Sequence, residues 1–421
     1  MFKIEILHYS CPPVVGGVEE IVRQQASLFH RYHHPVEVFA GTGSQFTQKY
    51  GVKLNPLLSS RHPEVLKLQK NVTKNYSRIK EISEEIFRYF VNRLSDNSIF
   101  IAHNVLTMPF NLPLTLALHK LADQHLLTIV SWNHDSPYFY DPYAPELGRE
   151  PWLILKKFNH NIHYVTISDS RQKDFCSLYG INRDIVVIPN GVDPISFFRL
   201  DEATVQLILE NSLFEAELLL VQPSRLHPRK NIELSIRVVN QLLKLGINVK
   251  LLLTGAFDPH HGKDLRYYNH LKHLIESLKI TENIIVIADY TFDSGEKITP
   301  DHVIIRDLYH ISDLLFLPSK QEGFGIPILE AGMIRLPIAC SDIEPFRSIA
   351  GDNVFYYSLD EKPIEIAKGI LKFLGEIKTY DMYRNIIRNY VWDIIYQRSL
   401  MPFFQKILNG RSEKAQGKRQ M

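Results

Sequence analysis

The chain has 421 residues, 45% hydrophobic and 22% charged, a globular balance that excludes a collagenous, largely disordered or disulfide-knotted protein. That length is about three times the usual domain size, so two separate cores are expected. With 48 Lys and Arg against 46 Asp and Glu the formal charge is +2, and no bulk charge points to a nucleic-acid partner. Cys11, Cys176 and Cys340 are too few and too far apart for a disulfide framework, and no CxxC pair suggests zinc. The 18 histidines show no HExxH spacing, so no metal site is expected. Met1 leads directly into the charged run Phe2–Leu7, which is too short and polar for a signal peptide. No apolar run approaches the ~18 residues that span a bilayer, so a cytoplasmic location is expected.

Short apolar runs alternate with helical patterns, the mark of parallel α/β sheets. The strands expected in the first half are Lys3–Leu7, Val36–Ala40, Ile99–His103, Leu127–Trp132, Tyr164–Ile167 and Ile185–Ile188. Ser59–Leu94 reads as a mainly helical stretch whose first part is basic through Lys67, Lys70, Lys74, Arg78 and Lys80. Glu81, Glu84 and Glu85 dilute that charge, so a solvated face is favoured over membrane-surface contact. The Pro189-Asn190-Gly191-Val192-Asp193-Pro194 segment interrupts regular structure and marks a boundary. Beyond it the expected strands are Leu218–Val221, Lys250–Leu253, Ile284–Ile287, Leu314–Leu317, Pro337–Cys340 and Val354–Tyr356. The helix Asn231–Leu245 is expected to carry Asn231 as its N-cap and to stop at Gly246. The fold class is therefore α/β, with two doubly wound Rossmann-like domains. The divisions are 1–194, 195–380, a helical segment 381–409 and a solvated basic tail 410–421.

Four loops follow strands and hold residues suited to chemistry. Ser319–Ala331 contains Glu322, Gly323, Phe324, Gly325 and Glu330. Gly323 and Gly325 would let backbone amides approach a ligand, and a carboxylate such as Glu330 suits a pair of sugar hydroxyls. Pro223–Asn231 contains Arg225 and Lys230, a fork and a point charge for two adjacent phosphates. Cys11–Glu20 contains Gly16, Gly17 and Glu19, with neither a GxGxxG nor a GxxxxGK[ST] pattern. Ser131–Pro137 contains the adjacent His134 and Asp135, able to orient a hydroxyl or stabilise charge. Each pattern by itself also fits a surface loop or a turn; their joint placement at strand ends carries the functional reading. The tyrosine-rich stretch Ser136–Glu150, with Tyr138, Tyr140 and Tyr143, offers sugar-stacking faces or simple packing.

These motifs resemble the retaining glycosyltransferases of family 4, which have the GT-B fold. The likeness runs from Gly16-Gly17-Val18-Glu19 to about Tyr357 and is strongest at Arg225…Lys230-Asn231 and Glu322-Gly323-Phe324-Gly325-Ile326-Pro327-Ile328-Leu329-Glu330-Ala331. Val165-Thr166-Ile167-Ser168 and Ile188-Pro189-Asn190-Gly191-Val192-Asp193 are further family landmarks. The resemblance implies two domains facing across a cleft, a nucleotide-sugar donor held by the second domain, and a hydroxyl acceptor from a glycan, glycoside or lipid-linked precursor. By it, Glu322, His134, Arg225 and Lys230 are the catalytic candidates. Gly16, Gly17, Arg225, Lys230, Glu322, Gly323, Phe324, Gly325 and Glu330 would contact the donor. Glu19, Asp135 and Tyr138 are acceptor-side candidates, no metal or other cofactor is required, and a last helix within Ile387–Leu408 would cross back to the first domain. Arg335 stands at a common glycine position of the family, which puts the local turn in question. Two rivals share the same cleft: a nucleotide-sugar epimerase of GT-B type, and an inactive sugar-binding descendant.

Overall fold

Parallel strands covered on both faces read as near-continuous apolar runs, as in Ile99–Ile101, Leu218–Val221 and Leu314–Leu317. The computed structural model describes every residue except 1, 96–97, 126, 141, 183–184, 256–261 and 420–421, and for 262–265 and 411–419 it describes the backbone alone. The chain forms two units, Met1–Asp193 with Tyr390–Met421, and Pro194–Asn389.

In the first unit β1 (Lys3–Ser10), α1 (Gly17–Arg31), β2 (Val36–Thr42) and β3 (Gly51–Leu54) are followed by α2 (Pro63–Gln69), α3 (Val72–Val91), β4 (Ser98–His103) and α4 (Leu112–Asp123). Then come β5 (Thr128–Asn133), β6 (Ile162–Thr166), α5 (Asp169–Tyr179) and β7 (Val186–Val187). The sheet runs β3-β2-β1-β4-β5-β6-β7, with parallel pairing throughout. Neighbouring residues serve opposite faces: Leu7, Phe39, Phe100 and Ile129 pack with Ile86, Phe90 and Leu118, while Ile6, Val38, Ile101 and Val130 pack with Phe29 and Phe404.

The second unit holds α6 (Pro194–Phe198), α7 (Glu202–Glu210), β8 (Leu218–Gln222), α8 (Ile232–Lys244), β9 (Val249–Leu253), α9 (Gly262–Leu278) and β10 (Ile284–Val286). It continues with α10 (His302–Ile311), β11 (Leu314–Leu317), α11 (Ile326–Met333), β12 (Ile338–Ser341), α12 (Glu344–Ala350), β13 (Phe355–Tyr357), α13 (Pro363–Gly375) and α14 (Lys378–Asn389). Its sheet order is β10-β9-β8-β11-β12-β13. In each sheet the chain winds outward on both sides of its first strand. The order therefore reverses between β1 and β4, and between β8 and β11, and crevices outside the carboxyl ends at such reversals are where open α/β sheets bind ligands.

All the expected strands form, Leu314–Leu317 with the expected bounds and the others with one or both ends shifted, and the added one is β3, a short edge strand. Ser59–Leu94 is mainly helical, as expected, and forms two helices because Asn71 accepts from the Lys74 amide at 3.2 Å and caps a new start. Three expectations need correction. Asn231 is not a side-chain cap: it sits at φ 52° in the left-handed region and makes no capping bond. The Tyr267 hydroxyl instead accepts from the Ile232 amide at 3.3 Å. The return to the first unit begins at Tyr390 rather than 381, since α14 belongs with the second unit. The returning chain forms α15 (Trp392–Ile395), a π-turn (Tyr396–Leu400) and α16 (Met401–Arg419). The stretch from 410 continues α16 to Arg419 instead of leaving it, and its charged side chains lie outside the described residues.

The return is anchored in the first unit. Val192 and Val391 pair in parallel, Trp392 Nε1 donates to Gln24 at 2.6 Å, and the Trp392 ring is fully buried. A side chain at position 191 would strike that ring, since a Cβ there would lie 2.7 Å from it; hence the glycine. Arg31 lies between two buried carboxylates, 3.4 Å from Asp193 and 3.2 Å from Asp393.

Candidate active site

In the second unit the loops after β8 and β11 flank the reversal of strand order. They are tied by a backbone bond from the Lys320 amide to the Arg229 carbonyl at 2.8 Å. Gln222, buried at the end of β8, donates to the Lys230 carbonyl at 3.1 Å and accepts from Ser235 at 2.6 Å. Ser341 at the end of β12 donates to the Ser319 carbonyl at 2.6 Å. Held this way, Lys230 and Glu322 form an ion pair with both side chains mostly buried. Ser319 Oγ donates to the same carboxylate at 2.8 Å, and Arg229 lies 3.6 Å from its other oxygen. The Arg225 side chain is exposed and makes no ion pair or hydrogen bond with a described residue. Arg229 and Lys230 follow it in the same loop.

The glycines of this loop differ in cause. Gly325 has φ +129°, and a Cβ would meet Phe346 at 3.1 Å; the backbone itself demands glycine there. At Gly323 a Cβ would meet nothing within 4 Å and φ is ordinary, so the fold gives no reason for its absence. Phe324 is exposed beside it. Glu330, exposed on α11, accepts from the Tyr309 hydroxyl at 2.7 Å. Arg335 takes φ +64°, the left-handed conformation a glycine would supply. The Leu336 amide then bonds back to the Ala331 carbonyl at 2.9 Å, so the turn closes as a Schellman-type helix end.

In the first unit α1 starts at Gly17, and Gly16 precedes it with extended backbone. A Cβ on Gly16 would lie 2.1 Å from Glu19 Oε2, whereas Gly17 faces open space. Glu19 turns back over the helix start, accepts from Ser10 Oγ at 2.5 Å and lies 3.8 Å from His8 Nε2. Asp135 is 3.2 Å from Arg171 and accepts from the Tyr140 hydroxyl at 2.9 Å. Tyr138 is committed to its own loop: it donates to the Leu147 carbonyl at 2.7 Å and carries Lys156 over its ring at 4.2 Å. The exposed tyrosine is Tyr140.

His134, at the end of β5, meets residues that sequence reasoning passed over. Its Nε2 is 3.1 Å from Nδ1 of His103, at the end of β4. His103 Nε2 is 3.1 Å from Gln25 Oε1 on α1, and His134 Nδ1 is 3.3 Å from Asn190 Nδ2. His8, at the end of β1, bonds the His103 carbonyl at 2.7 Å. Asn104 Oδ1 accepts from both the His134 and Asp135 amides, at 3.1 and 3.0 Å. Burial holds all three imidazoles neutral: it pushes His134 down to about 3, and His103 and His8 below their ordinary range. The available signal was position, since each histidine stands at or near the carboxyl end of its strand. Among the described residues no three His, Cys, Asp or Glu side chains gather as a metal site. Among them, too, no helix is long and apolar enough to cross a membrane.

Two family models match nearly the whole chain between them: Glycosyltransferase Family 4 over residues 15–195, and Glycosyl transferases group 1 over 207–390. The chain is 24% identical over 383 residues to a mannosylglucosylglycerate synthase of Thermotoga maritima, covering 86% of this chain and 85% of that one. It is 26% identical over 261 residues to an alpha-galactosylglucosyldiacylglycerol synthase of Streptococcus pneumoniae, covering 60% and 63%. Among solved structures, a sucrose-phosphate synthase from Thermosynechococcus elongatus aligns over 97% of this chain and 100% of that chain at 15% identity, with a TM-score of 0.40. The paired sheets, the loops at their reversals and the two family matches together make this chain a glycosyltransferase of family 4, of the GT-B type.

Proposed function

We propose that the enzyme transfers a hexosyl group from a nucleoside-diphosphate sugar, bound in the second unit, to a hydroxyl of a small glycoside or glycan. The observation that carries this reading is the cluster at the reversal of the second sheet. There Lys230, Arg229 and Ser319 converge on Glu322, and the exposed Arg225, which pairs with no described residue, belongs to the same loop as Lys230. Arg225 and Lys230 meet the developing charge of the leaving diphosphate, in place of a metal ion. Glu330 accepts from the ribose hydroxyls, exchanging or sharing its bond from Tyr309. Gly323 leaves room for the donor to touch the backbone.

Transfer proceeds with retention, by attack on the face that the diphosphate leaves. The bond from the anomeric carbon to the phosphate oxygen breaks, the acceptor oxygen bonds to that carbon, and the acceptor proton passes to the departing phosphate. The protein supplies placement and charge stabilisation. The loops of the first unit around Glu19, His134, Asp135 and Tyr140 receive the acceptor. The relative that makes mannosylglucosylglycerate supports a small glycoside as the acceptor class.

Calorimetry with UDP, GDP and ADP, with EDTA and then with magnesium, tests the donor half. Selective binding of one diphosphate in EDTA, lost in Arg225→Ala, is the expected result. Binding only with magnesium, or unchanged binding in Arg225→Ala, would overturn the metal-free phosphate assignment.

A further inference from the structure

Two neutral imidazoles at hydrogen-bond distance cannot both donate, so the contact between His103 and His134 has a polarity. Its ends decide which. Gln25 Oε1, an acceptor, faces His103 Nε2 at 3.1 Å, and Asn190 Nδ2, a donor, faces His134 Nδ1 at 3.3 Å. With the two amides oriented this way, His103 carries its proton on Nε2 and accepts at Nδ1. His134 carries its proton on Nε2, donates to His103, and accepts from Asn190 at Nδ1. Both terminal groups are amides, which do not titrate. The chain cannot carry a proton away; it can only set a tautomer. Gln25 and His103 are fully buried, the His103 ring stacks on Trp132 with centroids 5.4 Å apart, and its carbonyl is held by His8 at 2.7 Å. The far atoms of both terminal amides, Gln25 Nε2 and Asn190 Oδ1, have no partner among the described residues, and Asn190 is the less buried of the two.

We propose that His103 and Gln25 are positioning residues for transfer. They hold the His134 ring in the Nε2–H tautomer, so that its Nδ1 lone pair accepts a hydrogen bond from a substrate hydroxyl in the place Asn190 Nδ2 fills here. This rests on the reading that His134 lies beside the reacting groups, and goes beyond it by assigning the tautomer and the residues that enforce it. The groups facing the pair are His8 and, beyond it, Glu19; burial outweighs the Glu19 charge and keeps His8 neutral too. A neutral acceptor of this kind orients a hydroxyl without taking its proton, which suits a reaction whose departing phosphate is the base.

The test uses the full chain labelled with ¹⁵N in its imidazoles. Two-bond ¹H–¹⁵N spectra from pH 5.5 to 8 should show His134 with a protonated Nε2 and a bare Nδ1, unchanged across the range. His103→Leu removes the inner acceptor. It should scramble the His134 tautomer and lower turnover by about tenfold to a hundredfold, read as diphosphate release from UDP-glucose or GDP-mannose with a panel of glycosides. Binding of UDP or GDP, a property of the second unit, should stay within about twofold. His103→Asn, whose Oδ1 stands where Nδ1 stood, should restore both tautomer and turnover. A protonated Nδ1 on His134 in the wild-type protein overturns the proposal. So does His103→Leu with wild-type turnover and an unchanged His134 spectrum. If His103→Leu does not fold, the wild-type spectrum and Gln25→Leu carry the same test. Wild-type turnover in His134→Ala would instead sink the placement of His134 beside the reaction, whatever its tautomer.

Discussion

Lowering the pH should loosen the first unit through histidines that fold neutral, and the size of the effect follows from their environment. His119 on α4 is 5% exposed, and its Nδ1 lies 3.3 Å from Asn159 Nδ2. Burial, helped by Lys157 and opposed by Asp123, pushes it from an ordinary 6.5 to about 4. His134 is pushed to about 3, first by burial and then by His8. Below pH 6.5 the unfolded chain binds a proton at each site while the folded chain does not, so stability falls as pH falls toward the folded values. Between pH 7.5 and pH 5 each site should remove about 2 kcal/mol, and the two together about 4 kcal/mol. Urea titrations followed by tryptophan fluorescence read this unit alone, because Trp132, Trp152 and Trp392 all belong to it and are buried. His119→Asn keeps an acceptor for Asn159 and removes the titration. It should cut the loss between the two pH values by about 2 kcal/mol, whatever the cavity costs at both. An identical pH dependence in wild type and variant would refute the assignment of a depressed His119.

Three other outcomes follow from the geometry. Gly323→Ala meets no neighbour and no strained φ, so its melting temperature should hold or rise, while kcat/KM falls about tenfold or more if the donor approaches the backbone; unchanged activity would remove Gly323 from the donor site. Arg335→Gly relieves a side chain held at φ +64°, and denaturant titration of the second unit should show a gain of up to about 1 kcal/mol; a loss would mean that the Arg335 side chain stabilises the turn more than the backbone strains it. Arg31→Met leaves Asp193 and Asp393 buried without their shared cation, and should cost about 3–5 kcal/mol with a shift in the emission of the adjacent Trp392. A change below about 1 kcal/mol would show that Arg31 does not sustain the return segment.

The α/β class, the two sets of strands and the four loops were legible in the residues, because strands buried on both faces are apolar runs and turns need glycine, proline or asparagine. The joint placement of the loops and their family likeness brought forward Arg225, Lys230, Glu322 and Glu330, all of which lie within the span of the Glycosyl transferases group 1 model. What periodicity could not supply was adjacency. Asn231 looks like a helix cap in isolation, yet Tyr267, far along the chain, does the capping. β3 is four residues of an edge strand, too short to show a period. The break between α14 and α15 is set by Trp392 packing against Gly191 and Gln24, contacts that no window along the chain contains. His8, His103 and His134 read as three unrelated histidines until the sheet order puts β1 beside β4 and β4 beside β5. Residue type and local spacing determined which loops could carry chemistry; the reversal of strand order decided which side chains meet there, because hydrogen bonding and desolvation act over a few ångströms of space and take no account of distance along the chain.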